Sequence, residues 1–269
     1  MTRLHPRLRR LAPLWVLAVF ASCVGSALAP TARADVPVIA AAADLKFALT
    51  EIAQRFRDET GHAVRLTFGS SGNFFTQIKH GAPFQLFLSA DEAYVKKLGT
   101  LGVTRDEGVL YAVGRIVLFA PNGSQLEVDG ALDGLRAALS EGRISRFAIA
   151  NPEHAPYGRA AREALRATGL WPRIEPSLVV GENASQAMLF ATSGSAEGGI
   201  VPLSLARAPE AARRGTWVVV QETLHSPLRQ RMVLLRDAGR VADAFYEYVQ
   251  APPARAILER YGFVLPATN

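Results

Sequence analysis

Asn151-Pro152-Glu153-His154-Ala155-Pro156-Tyr157-Gly158 stands between an apolar run, Phe147 to Ala150, and a segment of helical periodicity that reaches Thr168. A strand that ends in a tight turn and leads straight into a helix is the repeating unit of a parallel α/β sheet. Pro156 suits the first helical position, where an N–H would have no partner, and it leaves Tyr157 and Gly158 with free amides at the positive end of the helix dipole. Two other stretches read the same way: Ala41-Ala42-Ala43-Asp44-Leu45 and Phe68-Gly69-Ser70-Ser71-Gly72-Asn73. None of the three turns contains a Lys or Arg. Convergence of the three would hold a small oxyanion by neutral dipoles.

Outward from these turns, strand-like and helical runs alternate through most of the chain. Val36 to Ala42 is followed by Leu45, Leu49, Ile52 and Phe56 on one helical face, with Thr60-Gly61 as the stop. Val64, Leu66 and Phe68 alternate; a short helix is expected from Asn73 to His80, a strand from Leu86 to Leu88, and a helix capped by Asp91. Val109 to Ala120 is long for one strand and suits a crossing between two lobes. A second set follows: a helix around Leu132 to Leu139, the strand Phe147 to Ala150, a helix from Tyr157, the strand Leu178 to Val180, a helix from Ser185 to Ala191 and the apolar Gly199 to Leu205. Trp217 to Gln221 and Arg231 to Leu235 would cross back, and helices at Ala242 to Val249 and Ala254 to Tyr261 would rejoin the first lobe. The expected fold is α/β with two lobes and two extended crossovers. One lobe is formed by 35–115 with 223–269 and the other by 116–222, and ligand binds at the carboxyl ends of the strands. No internal repeat or flexible linker is visible in the sequence.

Residues 1–34 carry five arginines and no acidic residue, and Leu11 to Leu28 is apolar. Ala32-Arg33-Ala34 fits the small-x-small cleavage rule, so residues 1–34 read as a signal peptide and the exported chain is expected to begin at Asp35 in the periplasm. The alternative is lipid attachment at Cys23, the single cysteine of the chain. Neither route leaves a thiol or a disulfide framework in the folded part. The formal charge of +6 falls to +1 once the five arginines of the signal are removed. No basic run with interleaved aromatics remains to follow a phosphate backbone, which excludes nucleic acid as a partner.

At its turns the chain resembles the periplasmic molybdate-binding proteins that serve ABC importers. The resemblance is carried by Ile39-Ala40-Ala41-Ala42-Ala43-Asp44-Leu45, by Gly81-Ala82-Pro83 with Leu86-Phe87-Leu88-Ser89-Ala90-Asp91, by the Pro152 to Gly158 turn, by Gly199-Ile200-Val201 and by Arg260-Tyr261-Gly262-Phe263. It implies the two-lobed (type II) binding-protein fold, closing as a monomer on one molybdate or tungstate dianion, with an inner-membrane ABC permease as partner and no cofactor. Its implied ligand groups are the Ser71 hydroxyl and backbone donors at Tyr157 and Ala184, with Ser70 beside Ser71 and the N–H groups of Ala43 and Asp44 at the first turn. The molybdenum itself has no direct protein ligand. Two positions depart from the family pattern: Ala43 stands where a serine is common, and Pro202 where some members place a ligand-facing tyrosine.

For Asp44 two roles are open: an N-cap accepting from Phe47 N–H or a neighbour, or selection against protonated or larger ligands. Tyr157 either fills the seam between lobes or turns its hydroxyl to the ligand. Donors without an acceptor favour a fully ionised oxyanion over the protonated forms of phosphate. The rivals are a site for sulfate, phosphate or another small solute, and a serine hydrolase using Ser71 with His154. The hydrolase is weakened because Asn73 replaces the second glycine of a Gly-x-Ser-x-Gly elbow.

Overall fold

The computed structural model describes residues 36–267; the expected signal, its cleavage site and Cys23 lie outside the described residues. Among those residues no helix is long and apolar enough to cross a membrane.

β1 (Val38–Ala42) is a central strand whose small side chains are packed from both faces, and a single 3-10 turn, Ala43–Leu45, joins it to α1 (Lys46–Thr60). Ala48, Leu49, Ile52 and Phe56 form the buried stripe of α1, and Gly61 closes the helix in the left-handed region at φ 73°. β2 (Arg65–Gly69), α2 (Ser71–Lys79), β3 (Leu86–Ser89), α3 (Glu92–Thr100) and β4 (Val109–Gly114) complete the first run. The chain then enters the second lobe through β5 (Ile116–Pro121) and continues with α4 (Asp133–Ser140), β6 (Phe147–Ala150), α5 (Pro156–Ala167), α6 (Trp171–Ile174), β7 (Leu178–Gly181) and α7 (Ala184–Thr192). β8 (Gly198–Pro202), α8 (Leu203–Ala206), α9 (Pro209–Ala212) and β9 (Gly215–Val219) follow, and β10 (Leu228–Leu234), α10 (Arg240–Gln250) and α11 (Pro252–Arg260) return to the first lobe.

The strands form two five-stranded sheets, ordered β2-β1-β3-β10-β4 and β7-β6-β8-β5-β9. In each, the first three strands are parallel and the last two pair antiparallel, so one topology occurs twice. One face of the first sheet is covered by α1, α10 and α11, packed around Phe56, Phe245 and Leu258, and the other by α2 and α3 around Phe74, Phe87 and Leu98. Each such side chain contributes about 1.5–3 kcal/mol when fully buried. The second lobe has its own core around Phe119, Phe147 and Ile149, which reaches across to Ala42, Ala43 and Ala90 of the first.

Four expected boundaries differ. The long apolar run is two strands, β4 and β5, broken at Arg115, because its halves pair in different sheets. The run Gly199 to Leu205 is also two elements: β8 ends at Pro202, which has no N–H for the ladder, and a helical turn follows. The second turn opens its helix at Ser71 rather than Asn73, with Ser70 as the extended residue before it. Gly215–Val219 pairs with β5 and Leu228–Leu234 with β3 and β4, so the return crossing is made by residues 220–227 between them.

Candidate functional site

Four helix starts follow four parallel strands: Ala43–Asp44 after β1, Ser71 after β2, Pro156–Tyr157 after β6 and Ala184 after β7. Two come from each lobe. They meet around one small cavity, which Ala43, Asp44, Ser70, Ser71, Tyr157 and Ala184 all line. The backbone N–H groups of Asp44, Ser71, Tyr157 and Ala184 have no hydrogen-bond partner among the described residues. First-turn amides cannot be paired within their own helix, so these four remain available to a ligand. At α7 the other early amides are taken, because Asn183 Oδ1 accepts from the N–H of Ser185 and of Gln186.

Ser71 adds a side-chain donor. Its Oγ accepts the N–H of Ala90 at 2.9 Å, which fixes the oxygen and leaves the hydroxyl proton for the cavity. The neighbouring hydroxyl is differently engaged: Ser70 Oγ lies 2.9 Å from His154 Nδ1. His154 belongs to the opposite lobe, where its carbonyl also accepts the N–H of Gly72 at 2.9 Å. Ser70 thus lines the cavity while its side chain ties the second and third turns together. Among the described residues no group of three His, Cys, Asp or Glu could hold a metal ion.

Other bonds cross between the lobes at the cavity. Ser185 Oγ donates to the carbonyl of Ala43 at 2.9 Å and Ser204 Oγ to that of Asp44 at 2.8 Å, satisfying first-turn acceptors of the opposite lobe. Asn73 Nδ2 donates to Glu182 Oε1 at 2.6 Å, and Arg159 pairs with Asp91 at 2.8 Å. These contacts hold the two halves of the cavity together.

Asp44 is not the cap of its helix. Its side chain is buried and points behind the cavity, where Oδ2 accepts from Gln230 Nε2 at 2.7 Å. Burial pushes its carboxyl from the ordinary 3.8 up to about 6, with hydrogen bonding to Gln230 and Tyr157 offsetting part of the rise. Its other oxygen, Oδ1, has no bond of good geometry. The Tyr157 hydroxyl does not face the cavity either: it accepts from the same Gln230 Nε2 at 3.0 Å. The ring fills the seam between lobes, which leaves the backbone N–H as the cavity-facing donor of Tyr157. Tyr111 Oη donates to Gln230 Oε1 at 2.6 Å. Burial and the charge of Asp44 hold both phenols well above the usual tyrosine range, so both keep their protons.

Sequence reading passed over Gln230 and Tyr111. Flanked by Arg229 and Arg231, Gln230 looks like part of an exposed polar patch, yet Leu228, Gln230 and Met232 alternate on one buried face of β10. A glutamine on the apolar side of a strand is the signal that marks it.

Residues 37–264 match the family described as bacterial extracellular solute-binding protein. The chain is 37% identical over 240 residues to the molybdate-binding protein ModA of Rhodobacter capsulatus, covering 88% of this chain and 91% of that protein. It is 32% identical over 260 residues to the molybdate-binding protein ModA of Escherichia coli, covering 93% and 98%. The solved periplasmic molybdate-binding protein of Azotobacter vinelandii superposes with a TM-score of 0.79 at 29% identity, covering 86% of this chain and 100% of that one.

Proposed function

Because the chain belongs to the bacterial extracellular solute-binding protein family, we propose that it captures molybdate, and tungstate with it, between its two lobes and delivers the ion to an ABC permease of the inner membrane. The observation that carries this reading is the set of four unpaired helix-start amides, two from each lobe, around a cavity that also receives the Ser71 hydroxyl. The ion is cargo, bound through its oxygens. Each charge-assisted hydrogen bond contributes about 1.5–3 kcal/mol, and five donors suffice for tight binding once closure excludes water. A protonated oxyanion would present a donor to a wall made of donors, which disfavours phosphate. Sulfate, ionised in the same way and smaller, is the rival ligand, and the closeness of approach that the lobes permit is what would separate the two.

The site residues are Ala43, Asp44, Ser71, Tyr157 and Ala184 for the ion, with Ser70 acting through His154. The lobes are residues 35–115 with 223–269, and 116–222. The protein works as a binder without cofactor or turnover, as a monomer, in the periplasm after removal of residues 1–34. Titration calorimetry of the chain from Asp35 onward with molybdate, tungstate and sulfate tests the reading. The expected result is one ion per chain, tight for the first two and weak for sulfate. Preference for sulfate, or no binding of any oxyanion, rejects it.

A further inference from the structure

Gln230 is wholly buried on β10 behind the cavity, and its single amide nitrogen serves two side chains: Asp44 Oδ2 at 2.7 Å and Tyr157 Oη at 3.0 Å. Those two residues also carry cavity-facing N–H groups, one from each lobe. The surroundings are built to aim this amide. Tyr111 donates to Oε1, which fixes the nitrogen on the side of Asp44. β10 shifts register against β4 between Gln230 and Arg231, and such a shift bends the strand and sharpens its twist beside the amide. Gly114 supplies room, since a Cβ there would press on the Tyr157 hydroxyl and stand 2.8 Å from Gln230 Nε2.

We propose that Gln230 is the positioning residue of the site: it sets the helix starts of Asp44 and Tyr157 against each other across the lobes and keeps the Asp44 carboxylate turned from the ion. Gln230 supplies the hydrogen bond that Asp44 Oδ2 receives at 2.7 Å and is the larger of the two side-chain partners, ahead of Tyr157, that ease the buried carboxyl; Asp44 has no ion pair among the described residues. The titratable groups facing Asp44 are the phenols of Tyr111 on β4 and Tyr157 on α5. Gln230 contributes no charge to this pocket. The proposal rests on the reading of the cavity as a molybdate site.

Gln230→Glu tests it, because the two side chains are nearly the same shape while the donor becomes an acceptor facing Asp44. Two buried carboxylates in contact share one proton at low pH and repel when both ionise. Molybdate titration of Gln230→Glu is therefore expected to show affinity about tenfold or more below wild type at about pH 8, and to approach wild type at about pH 5.5. Combining Asp44→Asn with Gln230→Glu reverses the direction of the hydrogen bond, lets both phenols donate to position 230, and restores binding at about pH 8. Circular dichroism at each pH establishes that the variants are folded. Wild type that fails to bind molybdate overturns the reading of the site. Wild type that binds while Gln230→Glu binds equally well at about pH 8, or a loss that neither acid nor the double substitution reverses, overturns the role given to Gln230.

Discussion

Ser71 Oγ receives the N–H of Ala90, so its oxygen is immobile and its proton is the free one. Ser71→Ala should weaken molybdate binding by about 1–3 kcal/mol, the cost of leaving a desolvated oxygen without its donor. Calorimetry on the folded variant reads this, and unchanged affinity would make Ser71 a turn residue only. Asp44 carries the second prediction at this scale. Its carboxyl titrates near 3.8 when free and near 6 in the fold, so between those values the folded chain holds a proton that the unfolded chain has lost. Stability should therefore fall as pH rises from about 4 to about 6 and change no further through this group above that, by about 3 kcal/mol in all. Urea unfolding at about pH 4 and about pH 7 should show this loss in wild type and not in Asp44→Asn; equal changes in the two would reject the assignment. Of the six positions that line the cavity, Ala184 rested on the family resemblance alone, whereas the turns at Ala43–Asp44, Ser70–Ser71 and Tyr157 were legible because a helix start after a strand exposes amides whatever the side chains are. The direction of the Asp44 and Tyr157 side chains was not, because it is set by Gln230, far away in sequence.

At the scale of elements, α2 shows how a contact outside the segment decides a boundary. Ser71-Gly72-Asn73 reads as turn rather than helix because all three are modest or poor helix formers. Gly72 nevertheless lies in the first turn of α2, its N–H held by the His154 carbonyl of the other lobe. A Cβ at this position would stand 2.7 Å from that carbonyl and 2.8 Å from Tyr94 Oη. Gly72→Ala should push the second and third turns apart and weaken molybdate binding by about 1–3 kcal/mol, the range of an overpacked contact. Stopped-flow measurement should place the loss mainly in faster dissociation; an unchanged rate would show that the contact plays no part in closure. Strands and helices whose apolar spacing is internal, such as α1 and β6, agree with the reading of the sequence. The breaks at Arg115 and Pro202 were missed because apolar runs do not reveal which sheet a strand joins.

For the whole molecule, lobe closure is held by bonds scattered along the chain: Asn73 with Glu182, Arg159 with Asp91, and the N–H of Ser226 with Glu163. A ligand that binds only the closed, folded form stabilises it by mass action. Molybdate at about a hundred times its Kd should add about 2.7 kcal/mol to the unfolding free energy and raise Tm, while sulfate at the same concentration should have a far smaller effect. Differential scanning calorimetry checks this, and equal shifts for the two ions would reject the preference. The doubled topology was invisible in the sequence, since a shared strand order needs no shared residues once each position only has to be apolar and fit its neighbours.

The doubled topology also matches the symmetry of the cargo. Four helix starts divide two and two between the lobes, just as the four oxygens of a tetrahedral ion divide into two pairs in perpendicular planes. Each lobe can grip one edge of the tetrahedron and each edge is the same as the opposite one, so the ion has no wrong way in. A planar anion such as nitrate or carbonate has no second edge to offer, and the half of the site facing it would keep its amides dry and unpaired.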